Sequence, residues 1–385
     1  MRIFIMISIL LLILGSSGYY VYIRATQAFP GTFIKSAPIL ILYVFLISSF
    51  FIGKLVENYS INGFSNALVT LGAVAAGLFI YGLFFVIFFD LIRLANYTIP
   101  FYPSFITAEY QKTKLILGII TLVSISLIFI VGYVNASTPK VKNLDITINK
   151  SNSDFDTLNV VAVSDIHLGT MVNHTKTKRL IKTINDLKPD VVLIGGDIID
   201  DNLNVVKYYD LLTHFKDIEA KYGVYSCMGN HEYLSRAYTD LAYFKENGIH
   251  ILKDTTIKID DKFYIIGRDD IEGESISGKK RISLDELTKD IDFDLPVFLL
   301  DHQPYKLDET AKHGIDLQFS GHTHNGQFWP LNFITGLLFE EDWGYLKKKD
   351  THFYISSGYG TAVVPIRVGN NSEIVNFKIS NRSLF

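Results

Sequence analysis

The stretch Ser320-Gly321-His322-Thr323-His324 sets two imidazoles two residues apart, after a glycine and close behind Ile315–Phe319, which reads as a strand. Neutral imidazole is a nitrogen donor suited to borderline divalent metals. Alone, the pair fits a metal site or a solvated loop, so its partners decide. Four further clusters sit directly after short apolar runs: Asp165-Ile166-His167 after Leu158–Val163, Gly196-Asp197 after Asp190–Ile194, Gly229-Asn230-His231-Glu232 after Gly223–Met228, and Asp301-His302 after Val297–Leu300. Apolar runs of that length read as buried strands. Each cluster has a bland reading by itself. Asp165 and Asp197 could be caps, Asn230 a turn residue, and His302 a loop histidine near Pro304. Five such clusters in order, each just past a strand, instead place carboxylate, amide and imidazole donors where α/β sheets bind ligands.

The elements that must hold these residues alternate. Helical spacing is read over Thr175–Leu187, Val205–Tyr222, Ser235–Asn247, Leu284–Ile291 and Leu307–His313. Leu144–Ile148 reads as an opening strand, Thr255–Ile259 with Lys262–Gly267 as a hairpin, and Phe353–Ser357 and Glu373–Ile379 as closing strands. Arg268–Ser283 reads as a polar surface loop. This order implies a layered α/β sandwich with mixed sheets.

Asp-x-His, Gly-Asp, Gly-Asn-His-Glu, a lone histidine after a strand and Gly-His-x-His, in that order, resemble the calcineurin-like metallophosphoesterase superfamily over roughly residues 155–380. Gly-His-Thr-His-x-Gly-Gln, followed by Gly358, Gly360, Pro365 and Arg367, resembles a bacterial membrane-associated branch, which usually has glycine where this chain has Asn325. The resemblance implies that Asp165, His167 and His324 hold one metal, that Asn230, His302 and His322 hold a second, and that Asp197 bridges them. His231 is implied to be catalytic, reaching the phosphoryl group and the leaving oxygen. Two divalent ions about 3.5–4 Å apart clamp an in-line phosphoryl displacement and activate a bridging water. Mixed nitrogen and oxygen donors suit manganese, iron, zinc or cobalt. The implied activity is phosphoester hydrolysis. The alternatives are pyrophosphatase action on a nucleotide-linked lipid, or a membrane-tethered scaffold without chemistry, although scaffolds of this kind typically lose ligands that are all present here.

Composition divides the chain. Only ten of its 75 charged residues precede residue 135. Four uncharged apolar runs, Ile3–Ile23, Ala37–Ile52, Ala67–Phe89 and Leu115–Val134, reach or approach the roughly 20 residues a spanning helix needs. The first could instead be a cleaved signal peptide, but its long core and the spans that follow favour retention. Small residues at Gly72, Ala76, Gly77 and Gly82 would allow close helix packing. The expected organisation is a four-helix transmembrane bundle over 1–134, a linker and opening strand over 135–154, and the phosphoesterase domain over 155–385. If all four runs span, five basic residues flank one side (Arg24, Lys35, Arg93, Lys112, Lys114) and four the other (Arg2, Lys54, Lys140, Lys142). That balance leans towards an extracytoplasmic catalytic domain, and the resemblance implies a multi-pass protein of a bacterial cell membrane.

A net charge of −3 without a basic block excludes a nucleic-acid partner at this level. The single cysteine, Cys227, cannot form an intramolecular disulfide and falls in an expected buried strand. Directly after the paired histidines, Phe328–Leu346 is rich in aromatic and aliphatic residues. It reads either as a loop packed on its own core or as an apolar lip that admits a lipid-linked phosphoester from the bilayer.

Overall fold

Twelve short strands, most of them apolar and β-branched, build two six-stranded sheets in the computed structural model, which describes residues 2–31, 33–151 and 156–381, with the backbone alone for residues 2–11 and 33. In chain order the first sheet takes β1 (Lys140–Ile148), β2 (Thr157–Val163), β3 (Val191–Ile194), β4 (Val224–Cys227) and β5 (Ile249–Leu252). The second takes β6 (Thr255–Ile259), β7 (Phe263–Gly267), β8 (Val297–Leu300), β9 (Leu317–Ser320), β10 (Gly344–Lys348) and β11 (Thr351–Ile355). The last strand, β12 (Glu373–Asn381), returns to the first sheet and inserts between β1 and β2. Strands β2 to β5 are mutually parallel, as are β7, β8, β9 and β11. Strand β12 runs antiparallel to β2, and β6 and β10 are antiparallel edges, so both sheets are mixed as expected.

Alternation along β2 separates two cores, because successive side chains point to opposite faces. Val160 and Ala162 pack with Leu193, Cys227, Phe263, Phe298, Phe319 and Phe377 between the sheets. Val161 and Val163 pack on the other side with Leu180 and Ile184 of the helix His174–Asp186. The outer face of the second sheet is closed by Leu284 and Leu287. The layers are therefore helix, sheet, sheet, helix, and the carboxyl ends of β2, β3, β4, β8 and β9 carry the five clusters.

Several elements differ from expectation for local reasons. The helix expected over Val205–Tyr222 stops at Tyr208, since Asp210 is left-handed (φ 49°), and resumes as a 3-10 turn over Leu211–Asp217. The helix expected over Ser235–Asn247 is broken at left-handed Arg236 and restarts at Leu241, where Asp240 caps it. The expected loop 268–283 holds a helix, Ile271–Ser277, with Asp270 accepting the Glu272 N–H at its start and Gly278 at φ 70° ending it. Strands β5 and β10 were not expected. The linker expected over Asn135–Asn143 shrinks to Thr138-Pro139. The helix runs to Ser137, proline cannot extend it, and β1 starts at Lys140. Residues 152–155 of the expected 135–154 and 155–385 boundary lie outside the described residues.

Two compact units result, Met1–Val131 and Gly132–Phe385. Helices in the first cover Arg2–Ala28, Ala37–Tyr59 and Gly63–Thr98, and Tyr110–Ser137 begins in it. Among the described residues, three of these (Ala37–Tyr59, Gly63–Thr98 and Tyr110–Ser137) are long and apolar enough to cross a membrane. The first expected span, Ile3–Ile23, falls in the helix Arg2–Ala28, but its side chains up to residue 11 lie outside the described residues. Gly72 does allow a close helix crossing: a Cβ there would lie 2.0 Å from the Phe50 nitrogen. Asn62 caps the longest helix by accepting the Phe64 and Ser65 N–H groups, while Ser65 Oγ accepts the Asn62 N–H.

Cys227, the chain's one cysteine, is fully buried between the sheets, and burial pushes its thiol well up. A thiol reagent is expected to leave it unlabelled in the native protein at pH 8 and to label it at the unfolding rate in denaturant. Rapid native labelling would contradict the packing.

Candidate metal centre

The backbone beyond the strand ends is bent sharply. Asp165 (φ 51°), His167 (φ 52°), Asp197 (φ 53°), His322 (φ 71°) and His324 (φ 49°) all occupy the left-handed region, which costs a non-glycine residue of the order of 1–2 kcal/mol. Strain of this kind is concentrated at functional sites. Asn325 is left-handed as well (φ 46°), and asparagine is among the residues that tolerate this conformation. Backbone bonds tie the loops together. Asp165 N–H donates to Gly196 O at 3.1 Å, His167 N–H to Asp197 O at 3.0 Å, and Gly321 N–H to His302 O at 2.9 Å.

All eight residues singled out in the sequence come together. His167 Nε2 and His324 Nε2 face each other at 3.1 Å, with Asp165 Oδ1 3.4 Å from the latter. Two imidazole nitrogens pointing at one another beside a carboxylate, all three residues buried, are the donor set a shared cation needs. Asn230 Oδ1 lies 3.1 Å from His302 Nε2 and 2.9 Å from His322 Nδ1. Asp197 Oδ2 stands between these groups, 3.1 Å from His302 Nε2 and 3.9 Å from His167 Nε2. The groups Asp165, His167 and His324, and Asp165, Asp197 and His302, each bring donors close enough to fit a divalent cation.

Neighbouring groups orient the donors. His302 Nδ1–H donates to Gly195 O at 2.7 Å, which turns Nε2 inward. Orientation of a ligand imidazole through its second nitrogen is a general device of metal sites. The His322 N–H donates to both Asp165 oxygens, at 3.0 and 3.1 Å. Glu232, fully buried, accepts four backbone N–H groups, from Asp197 (2.9 Å), Ile198 (2.8 Å), Ile199 (3.1 Å) and Gly229 (2.8 Å). It clamps the loop after β3 to the loop after β4. Gly321 permits close approach, since a Cβ there would lie 2.1 Å from Asp165 Oδ2.

Electrostatics follow from burial and pairing. Burial pushes the Asp165 carboxyl above its usual range. Burial would do the same to Asp197, yet facing His302 holds it well below. Burial disfavours charge on His302, but Asp197 and Asp165 keep its pKa well above the ordinary histidine value. His322 is pushed down to about 3, first by burial and then by His302.

His231 falls in a third group of possible donors, with His167 and Asp200. Its side chain remains one-fifth exposed (20%), its N–H donates to Asp197 Oδ1 at 2.8 Å, and its Nδ1–H donates to Asp200 O at 2.5 Å. Asp200 was missed in the sequence, although Asp197-Ile198-Ile199-Asp200 gave a faint signal. Its Oδ1 lies 3.4 Å from His167 Nδ1 and 3.7 Å from His231 Nδ1. Arg367, noted only within a motif, is fully buried. It donates through Nη2 to Gly358 O and Gly360 O and lies 3.2 Å from His324 Nδ1, and burial lowers its pKa to about 10. It braces His324 from behind. Among the described residues, His174, His214, His250, His313 and His352 join none of the groups of metal-ligating side chains.

Residues 158–326 match the family described as calcineurin-like phosphoesterase. A zebrafish protein (Danio rerio) named transmembrane protein with metallophosphoesterase domain is 28% identical over 272 residues, covering 67% of this chain and 61% of the relative. Its bovine namesake (Bos taurus) is 30% identical over 64% of this chain and 58% of its own length. An uncharacterized metallophosphoesterase of Campylobacter jejuni is 29% identical over 97% of this chain and 98% of its own. The chain thus spans about three-fifths of the length of the two vertebrate relatives.

Glu232→Gln turns an N–H of the amide towards backbone donors. It is expected to lower stability by about 2–3 kcal/mol, read as a shift in the denaturant midpoint. Cation binding at the histidine nitrogens must displace the proton that His302 retains above its ordinary range. Divalent-metal affinity is therefore expected to fall as pH is lowered. Calorimetry in buffers of different ionisation enthalpy should show proton release on binding.

Proposed function

We propose that this chain, which belongs through its domain over residues 158–326 to the calcineurin-like phosphoesterases, is a membrane-anchored, metal-dependent phosphoester hydrolase. The observation that carries the reading is the convergence of Asp165, His167, Asn230, His302, His322 and His324 around Asp197 at the carboxyl ends of five strands. In this reading Asp165, His167 and His324 hold one divalent ion, Asn230, His302 and His322 hold the other, and Asp197 serves both. Manganese, iron, zinc and cobalt all suit the donor set. Once bound, such ions supply Lewis-acid polarisation of the phosphoryl group and activation of water.

The chain's own residues supply the rest. Neutral imidazole and amide donors leave the site net positive towards a phosphoryl oxygen. His231, fixed by its bond to the Asp200 carbonyl, presents Nε2 to the leaving oxygen and acts as general acid. Asp200 sets the tautomer and direction of that ring. Arg367 and Gly358 keep His324 from turning away.

The substrate reading rests on a second observation. The helix Asn332–Leu338 has no buried residue, and Leu337 is 87% exposed. In this reading the helix is an apolar lip rather than a packed loop. Phe339, at its end, meets the His322 ring edge-on with centroids 6.1 Å apart and lies tilted against Tyr305 with centroids 5.0 Å apart. An exposed apolar helix joined to a candidate metal ligand by an aromatic pair suits a phosphoester carried on a lipid. In this reading the apolar helices, including the first run as a fourth span, keep the chain in the bilayer where such a substrate resides. The lean of the basic residues towards an extracytoplasmic catalytic domain is kept as part of the proposal.

Hydrolysis of an aryl phosphomonoester or phosphodiester is expected to require added divalent metal and to be lost in Asp197→Asn and His322→Ala. His231→Ala should retain bound metal and lose about 10²–10⁴-fold in kcat. Full activity in Asp197→Asn would overturn the mechanism. Replacing Phe333, Ile334, Leu337 and Leu338 together with serine should depress hydrolysis of a lipid phosphoester in vesicles and spare a soluble aryl substrate. Equal effects on both substrates would remove the lipid reading.

A further inference from the structure

The first unit holds a cavity of about 640 Å³ among its helices. That lies within the range of small-molecule sites, about 300–1,000 Å³. Its lining is of two kinds. Leu46, Phe79, Val86, Leu117 and Ile125 are apolar, whereas Arg24, Asp90, Arg93 and Lys114 are charged. Arg24 lies near the end of the helix Arg2–Ala28, Arg93 near the end of Gly63–Thr98, and Lys114 near the start of Tyr110–Ser137. From Lys114 to Ile125 the last helix rises roughly 16 Å, at about 1.5 Å per residue. The cavity is therefore charged at one end and apolar along its depth.

The charges do not cancel. Arg24 Nη2 pairs with Asp90 Oδ2, which also accepts the Tyr20 hydroxyl, and Arg93 Nη2 stands 3.5 Å from Asp90 Oδ1. One carboxylate thus answers two guanidinium groups. Lys114 adds a third cation, its Nζ 5.3 Å from the Tyr110 ring centroid. The Nε of Arg24 is buried without a hydrogen-bond partner. Ion pairing accounts for Asp90 with Arg24 and Arg93, and with Lys114 the lining keeps a net positive charge. Ionisable groups in spanning helices are costly and mark sites. Basic groups gathered between such helices recognise anionic lipid headgroups.

We propose that this cavity binds an anionic amphiphile, a single phospholipid whose phosphate rests on Arg24, Arg93 and Lys114 while a hydrocarbon chain fills the apolar depth. The site is separate from the metal centre and does not depend on the activity assigned to it.

The intact chain in mixed micelles tests this, with phosphatidylglycerol, phosphatidylcholine or inorganic phosphate added in separate arms. Bound lipid is counted by native mass spectrometry, and melting temperature is followed in parallel. Phosphatidylglycerol is expected to stay bound at one per chain and to raise the melting temperature; the other two additions should do neither. Gly82→Leu fills the cavity, because a Cβ at Gly82 meets only Ile125 and Val21 methyl groups, both at 3.9 Å. It should abolish retention. Arg93→Gln, at a half-exposed side chain, should weaken phosphatidylglycerol binding about fivefold, the share of one surface cation. Both variants should keep the helical circular dichroism and the monodisperse elution of the parent chain, which certifies their folding apart from the lipid result. Equal retention of phosphatidylcholine, an equal shift with inorganic phosphate, or full lipid retention in Gly82→Leu would overturn the proposal. Should Gly82→Leu fail to fold, an unchanged affinity in Arg93→Gln overturns it instead.

Discussion

The carboxylate of Glu232 is the interaction on which the candidate site most depends. It is fully buried and accepts four N–H groups from two loops. An unanswered buried carboxylate would be expensive, and so would four unanswered buried donors. Each side satisfies the other, so the loop carrying Asp197 and the loop carrying Asn230 and His231 share one geometry. Asp197 can stand between the two groups of donors because its own backbone N–H is one of those four. The neighbouring Asp197 carboxylate makes the arrangement electrostatically demanding, and the facing imidazoles offset that demand.

Around this clamp the backbone is driven into an unfavourable region at five candidate ligands. The sheets supply the counterweight. Parallel strands buried on both faces end in register, and their apolar side chains fill two cores. Stability won by burial over the whole domain can carry a few kcal/mol of local strain at one edge. The rigidity also sets directions: His302 is turned by Gly195 O, His231 by Asp200 O, and His324 is braced by Arg367. Rings aimed in this way converge on one small volume without a flexible search.

The two units solve opposite solvent problems. The first exposes leucine, isoleucine and phenylalanine along helices with few charges, and its helices approach closely at Gly53 and Gly72. The second buries most of its apolar residues in cores between and outside its sheets. Among its exposed apolar side chains, those of the helix Asn332–Leu338 are grouped on one short element.

Much of the site was legible in the sequence, because metal ligation demands particular residue types and strand ends demand particular spacings. Asp165, His167, Asp197, Asn230, His231, His302, His322 and His324 each follow an apolar run, and their joint order needed no coordinates. The strands that carry them were legible for the same reason, since burial on both faces leaves a continuous apolar run. What escaped was non-local. Asp200 acts through its backbone carbonyl, which every residue possesses. Glu232 acts through bonds to loops more than 30 residues away, and Arg367 through a contact with His324 across 43. The breaks at Asp210 and Arg236 depend on left-handed backbone that helical periodicity does not encode. The paired histidines and their partners thus lay in the order of residues along the chain. Which oxygen accepts, which ring turns inward and how the loops are clamped were decided by tertiary structure, because those are properties of directions in space.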